Sequence, residues 1–419
     1  MKKVVKRLKK PLIGVMSLVV LATAPSAALA EKADTHAKKK VKAAEVVKKP
    51  ELPIESGAAF LYDMNLKKVI YEKNADDVIK TASLAKVMTL FLASDALASG
   101  EVKENDKVLV SEKSWKTGGS RMFLEVGREV PFGEAFKGVA VVSGNDAAVA
   151  IAEHLAGSTD EFVKRMNEKA KKLKMTHTHF RSVNGLPDGD EDDTSTPRDL
   201  GNMTIKYLTK YPGNLKIHSL QEFSFDTGRG VITQKNRNPL LGEYKGADGL
   251  KTGWIDEHYN LIGTAEKGGV RLVFVTMKGA NEKIRAKDAK TLLDYGFNQY
   301  KKYVLNKKGE KVATLPVYKA SEDKKAEVVM KNDDEVVIHS SQLKGKKTVK
   351  EKLVLPDYIN AGKGMKAGEV IGKKQYFIGK KLIHESDIVL KEGIEKGNWW
   401  QKALDSILLS GMWIVGLFK

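Results

Sequence analysis

"TASLAKVMTLFLAS", residues 81–94, places one cation, Lys86, inside a run that is otherwise small or apolar. Leu84, Val87, Met88, Leu90, Phe91 and Leu92 are so closely spaced that, wound as a helix, the segment turns apolar groups in nearly every direction, the pattern of a helix buried on most sides. Holding an ammonium there is costly, because the charge loses its hydration. Ser83 lies three positions earlier and shares a helix face with Lys86, their Cβ atoms about 5–6 Å apart. It also opens the helix, where free backbone N–H groups and the helix dipole favour negative charge. Burial lowers the pKa of a lysine, and a neutral amine can take a proton from a hydroxyl. The segment therefore offers a nucleophile and its base without a histidine. Taken alone, Ser-x-x-Lys is a weak pattern for which a capping serine and a lysine that reaches the surface are the better reading, so the rest of the chain must decide.

On the N-terminal side, residues 57–83 alternate apolar and polar residues on either side of the turn-prone Asn65, which predicts a β-hairpin. On the C-terminal side, Gly100 ends the helix. Mixed helices and loops follow to about Tyr211, with one well-marked helix start at Thr196-Pro197-Arg198-Asp199. Strands return as "GLKTGWI" at 249–255, "NLIGTAE" at 260–266 and "RLVFVTMKG" at 271–279, the last two joined by a Lys-Gly-Gly hairpin turn. A helix over 282–301 closes the region. Strands at both ends with helices between predict an α+β domain on one antiparallel sheet whose first and last strands are neighbours.

Two further short motifs could carry chemistry. "VVSGNDA" puts Ser143-Gly144-Asn145 at the entrance of another apolar helix, and "DGLKTGWI" puts Lys251-Thr252-Gly253 in a strand. Each has a plain structural reading, a cap with its turn glycine in the first case and a surface lysine in the second. Gly253 removes a side chain where another backbone or a ligand approaches closely.

The whole chain of 419 residues carries a formal net charge of +19 and no cysteine. Thiol nucleophiles, thiolate metal sites and disulfides are excluded, so oxygen or nitrogen must do any chemistry. Residues 1–30 hold six of the cations, then an apolar stretch from Leu12 to Ala22 and Ala28-Leu29-Ala30, in the order of a secretory signal peptide. An uncleaved anchor is the alternative; either way, export is expected. Residues 31–52 are a Lys-rich, solvated linker. Export removes nucleic acid as a partner and leaves anionic lipid or an anionic wall to meet the basic surface. Residues 303–391 show short alternating runs such as "EVVIH" and "KLVLP" between Lys-, Asp- and Gly-rich turns, the texture of a small all-β domain. In residues 392–419, Trp400, Leu404, Ile407, Ile414, Val415 and Phe418 share one helical face opposite Gln401, Lys402 and Asp405, which predicts an amphipathic helix at a membrane surface. "HTH" at 177–179 and "DGDEDD" at 188–193 lack metal-ligand spacing and read as loops, and there is no Gly-rich phosphate loop, so no metal or other cofactor is expected.

Ser-x-x-Lys, Ser-Gly-Asn and Lys-Thr-Gly, in this order on helix, loop and strand, together with "SGAAFLYDMN" and "GLKTGW", resemble the serine D-alanyl-D-alanine carboxypeptidases, the low-molecular-mass penicillin-binding proteins. The resemblance covers about Ser56 to Lys301, and the β domain and tail helix are similar to that family's. It implies a penicillin-binding, β-lactamase-like transpeptidase domain over 53–302 and sensitivity to β-lactams. It also implies the removal of the terminal D-alanine from peptidoglycan stem pentapeptides, through an acyl-enzyme on Ser83, at the outer face of the bacterial membrane. By the same resemblance Lys86 is the base, Ser143 relays a proton to the leaving amine, and Asn145 holds Lys86 and the substrate backbone. Lys251 and Thr252 receive the substrate carboxylate. The backbone N–H groups of Ser83 and Trp254 would form the oxyanion hole. Trp254 stands where the family often has histidine, which alters substrate fit. A β-lactamase of the same fold would need a deacylating glutamate, and no Glu-x-x-x-Asn follows Ser143 at the expected distance. A DD-endopeptidase shares all three motifs. A non-enzymatic wall-binding protein would explain the charge and the tail but not the buried lysine.

Overall fold

The computed structural model describes residues 51–416 apart from 188, 257, 323 and 344–347, with side chains as far as 411. The leader and most of the Lys-rich linker lie outside the described residues.

A five-stranded antiparallel sheet organises the first domain, in the order Lys68–Lys73, Ala58–Asp63, Val270–Gly279, His258–Lys267, Ala247–Ile255. The first strand of the chain pairs with the last of this region, Ala58 opposite Met277 and Asp63 opposite Leu272, as expected from the sequence. The turn after Ala58–Asp63 is held by the Asp63 carboxylate, which accepts from the N–H groups of Asn65 and Leu66. Ala58–Asp63 departs from the expected alternation, since nearly every residue in it is buried. The reason is that the sheet is covered twice. Ala58, Phe60, Val273, Val275 and Met277 pack with the helices Lys86–Ser99 and Pro197–Lys210. Ala59, Leu61, Leu272 and Phe274 pack with Ala289, Leu292 and Leu293 of the helix Glu282–Asn298. A strand buried on both faces has no polar side to show. Gly201 lets the helix Pro197–Lys210 lie flat on the sheet, because a Cβ there would fall 2.4 Å from the Phe60 ring.

The opening stretch is a helix with a tight first turn. Ala82–Ala85 is 3-10 and Lys86–Ser99 is α-helical, ending on Gly100 in the left-handed conformation (φ 77°). It is apolar and long enough to cross a membrane by composition alone, yet it is mostly buried in the protein core. Thr196 caps the helix Pro197–Lys210 by accepting from the Asp199 N–H.

After the helix Glu282–Asn298, which ends three residues before its expected limit, the described residues form strands and turns until the tail, with one 3-10 turn at Ser340–Leu343. A six-stranded sheet runs in the order Val349–Val354, Val370–Ile378, Lys381–Leu390, Lys325–Met330, Lys311–Tyr318, Ile359–Asn360. Val328, Met330, Ile388 and Leu390 form its core. The tail helix, Trp399–Gly416, docks by its polar side: the Lys319 N–H donates to the Asp405 carboxylate and Gln401 Nε2 to the Ser321 carbonyl. Trp399, Trp400, Leu404, Ile407 and Leu408 are exposed, Ile407 at 71 %.

Candidate active site

The edge strand Ala247–Ile255 lies against the 3-10 turn that carries Ser83. This contact requires Gly253. A Cβ there would lie 3.0 Å from the Thr81 carbonyl and 3.3 Å from Leu84, so any side chain would wedge strand and turn apart. Between them opens a cavity of about 840 Å³, lined by Ser83, Ser143, Asn145, Thr252, Gly253 and Trp254, so six of the eight side chains and backbones singled out by sequence meet at one wall. Lys86 and Lys251 stand behind that wall.

Lys86 is fully buried. Its Nζ donates to Ser83 Oγ at 2.8 Å and to the Asn184 carbonyl at 2.6 Å. Burial lowers its pKa from 10.5 to about 7, against the pull of Asp193 and Asp146, with Arg237 adding to the lowering. A capping serine with a snorkelling lysine is thereby ruled out: the amine faces the hydroxyl, away from water.

Ser143 sits at φ 63° between the helices Phe132–Val141 and Asn145–Ala156. Asn145 Nδ2 donates to the Gly118 carbonyl at 2.7 Å, while its Oδ1 is buried with no hydrogen-bond partner among the described residues. Asn145 is thus held by the 118–120 segment and makes no hydrogen bond to Lys86; the Asn184 carbonyl has that place.

Lys251 is also buried, and its Nζ donates to the Thr252 carbonyl at 2.8 Å. Its pKa falls well below 10.5, through burial first and then repulsion from Lys86, Arg237 and Arg285. Two arginines that the motifs did not reveal, Arg237 and Arg285, line the cavity together with two acids, Asp256 and Glu282, and an Arg285 Nη donates to Glu282 Oε1 at 3.4 Å. Arg285 is nearly buried, lies 5.5 Å over the Tyr259 ring and keeps a buried Nε without a partner among the described residues. Trp254 is 62 % exposed at the rim, tilted against Tyr259 at 6.3 Å.

Sequence reasoning also missed the loop 181–193. Asn184 contributes a backbone carbonyl, which has no signature in residue type. Gly185 (φ 81°) is more legible in retrospect: a Cβ there would fall 1.9 Å from the Ala82 carbonyl, so the Asn-Gly pair marks where the loop presses on the turn that carries Ser83.

Known proteins share this architecture. Residues 43–281 match the family model described as D-alanyl-D-alanine carboxypeptidase, and residues 300–396 match the C-terminal domain of penicillin-binding protein 5. The chain is 35 % identical over 356 residues to D-alanyl-D-alanine carboxypeptidase DacF of Bacillus subtilis, covering 83 % of this chain and 88 % of DacF. Among solved structures, penicillin-binding protein 5 of Haemophilus influenzae aligns with TM-score 0.58 and 28 % identity, over 83 % of this chain and 99 % of that one. Penicillin-binding protein D2 of Listeria monocytogenes, solved in its ampicillin-bound form, aligns with TM-score 0.54 and 33 % identity, over 59 % of this chain and all of that one.

Proposed function

The chain belongs to the D-alanyl-D-alanine carboxypeptidase family of penicillin-binding proteins, and from that premise we propose that its serine hydrolase chemistry runs through Ser83 with Lys86 as the base. The observation that carries this reading is the 2.8 Å contact between a fully buried amine and the hydroxyl it faces. With a pKa of about 7, a sizeable fraction of that amine is neutral at physiological pH. It takes the Ser83 proton as Oγ attacks the carbonyl between the last two D-alanines of a stem peptide. The oxyanion is received by the N–H groups of Ser83 and Trp254. The tetrahedral intermediate collapses, the leaving amine of D-alanine takes a proton relayed through Ser143, and water releases the acyl group.

The rest of the site is read as the holder of the substrate. Asn145 Oδ1 is a free acceptor for a substrate N–H. Thr252 donates to the terminal carboxylate, whose charge is met by Arg237 and Arg285 at the cavity wall. Arrival of that anion favours the protonated form of Lys251 behind them, since an opposite charge raises an amine's pKa. Export by the N-terminal leader and attachment of the exposed tail stripe to the outer face of the cytoplasmic membrane place this chemistry beside its peptidoglycan substrate.

Mass spectrometry after brief exposure to penicillin tests the assignment. One adduct is expected on the unmodified protein and none on Ser83→Ala, with loss of D-alanine release from a pentapeptide in the same variant. An adduct that persists separates this reading from a β-lactamase, which would turn it over quickly. Release of free D-alanine from the pentapeptide separates it from an endopeptidase.

A further inference from the structure

The second partner of Lys86 is the Asn184 carbonyl, and an acid at the foot of its loop ties that loop down. At the neck of the loop 181–193, Asp193 Oδ1 accepts from the N–H groups of Arg181 at 2.5 Å and Ser182 at 3.0 Å. Ser182 Oγ donates to Asp193 Oδ2 at 2.6 Å and itself accepts from the Gly185 N–H at 2.9 Å. The Asp193 backbone carbonyl accepts from the Thr81 N–H at 2.8 Å, two residues before the nucleophile. Thr89 Oγ1, one turn along from Lys86, closes the set by donating to the Val183 carbonyl at 2.6 Å. One residue therefore ties the loop that carries the Lys86 acceptor to the turn that carries Ser83. Asp193 is buried, and the acyl transfer described above gives it no task.

We propose that Asp193 is a positioning residue for the general base: its carboxylate helps hold the Asn184 carbonyl on Lys86, and its negative charge raises the pH at which that amine gives up its proton. The inference rests on the reading of Lys86 as the base. All three groups that reach the carboxylate are donors, as an ionised, acceptor-only carboxylate requires. Burial pushes the Asp193 carboxyl up, while those donors and the Lys86 charge oppose the rise. Around Lys86, two acids from separate elements favour the ammonium, Asp193 on the loop and Asp146 on the helix Asn145–Ala156; Arg237 opposes it, and Lys251 repels it in turn. Neutralising Asp193 removes one of the two attractions, so the amine loses its proton at lower pH.

Acylation rates with a fluorescent penicillin, measured from pH 5 to 9 on the full chain, test this with two variants. Asp193→Asn keeps an acceptor for the Arg181 and Ser182 N–H groups and removes the charge. Its acid limb is expected to move down by about half a pH unit or more, with a plateau within about threefold of the unmodified protein. Ser182→Ala keeps the charge and breaks the link to Gly185, so its limb is expected to stay and its plateau to fall about tenfold. An unshifted limb in Asp193→Asn overturns the electrostatic half. An unchanged plateau in Ser182→Ala overturns the positioning half, and that variant stands even where Asp193→Asn fails to fold. Absence of a Ser83 adduct in the unmodified protein would instead overturn the reading of the base itself, so the two failures are distinct.

Discussion

Lys86 shows what burial of a single charge does to both chemistry and stability. Its proton affinity falls from 10.5 to about 7 on folding, so between those pH values the unfolded chain binds more protons than the native one. Stability therefore rises with pH across that window, and the penalty of the buried ammonium is felt in full below it. Lys86→Met removes this linkage. Calorimetry is expected to show its melting temperature gaining least on the unmodified protein at pH 10 and most at pH 7 or below, with no acylation at any pH. A pH-independent difference would mean that the amine is not held in the way its contacts indicate. In the unmodified protein, acylation is expected to rise through about pH 7 as the amine loses its proton. Ser83 and Lys86 were legible from their spacing, because a helix turn brings i and i+3 together whatever surrounds it. Asn184, Arg237 and Arg285 were not, since Asn184 reaches Lys86, and the two arginines reach the cavity, from segments far away in the chain.

The elements around the cavity are held in mutual register by glycines. Gly253 sits where the edge strand meets the turn that carries Ser83, with the Thr81 carbonyl 3.0 Å from the place of a Cβ. In Gly253→Ala that carbonyl or the strand must move, at a cost of about 1–3 kcal/mol. With the Trp254 N–H as the proposed oxyanion donor, displacing the strand is expected to slow penicillin acylation by about 100-fold. Stopped-flow acylation alongside thermal melting checks both; a variant that acylates at the normal rate would remove the strand from the oxyanion site. The strand "GLKTGWI" and the role of its glycine could be read from the sequence, because a glycine in a strand otherwise weakens it. The first strand is where the structure departs from the expected alternation. Its residues alternate in partner, Ala58 and Phe60 against one set of helices and Ala59 and Leu61 against the helix on the other face, and it is this double cover that leaves neither face to water.

At the scale of the molecule, an α+β hydrolase domain, an all-β domain and a helix with an exposed apolar stripe follow one another along the chain. The helix is anchored to the β domain through Asp405 and Gln401, so its free face is the one carrying Trp400, Leu404 and Ile407. Insertion of that stripe into a bilayer interface gains about 0.8 kcal/mol for each buried methylene. Ile407→Asp is expected to reduce co-sedimentation with anionic vesicles about tenfold or more while leaving penicillin acylation unchanged. Equal sedimentation of variant and unmodified protein would refute the membrane reading. By itself the sequence determined the hairpin, the antiparallel sheet closed by its first and last strands, the all-β texture and the three motifs, because each rests on local periodicity or on a spacing within one element. Only the tertiary structure decided that Asn145 bonds away from Lys86, that Lys251 donates to the Thr252 carbonyl, and that the carbonyl of Asn184, far along the chain, accepts from Lys86. Those outcomes depend on burial and on contacts between distant segments, and neither desolvation nor a backbone acceptor is written in residue type.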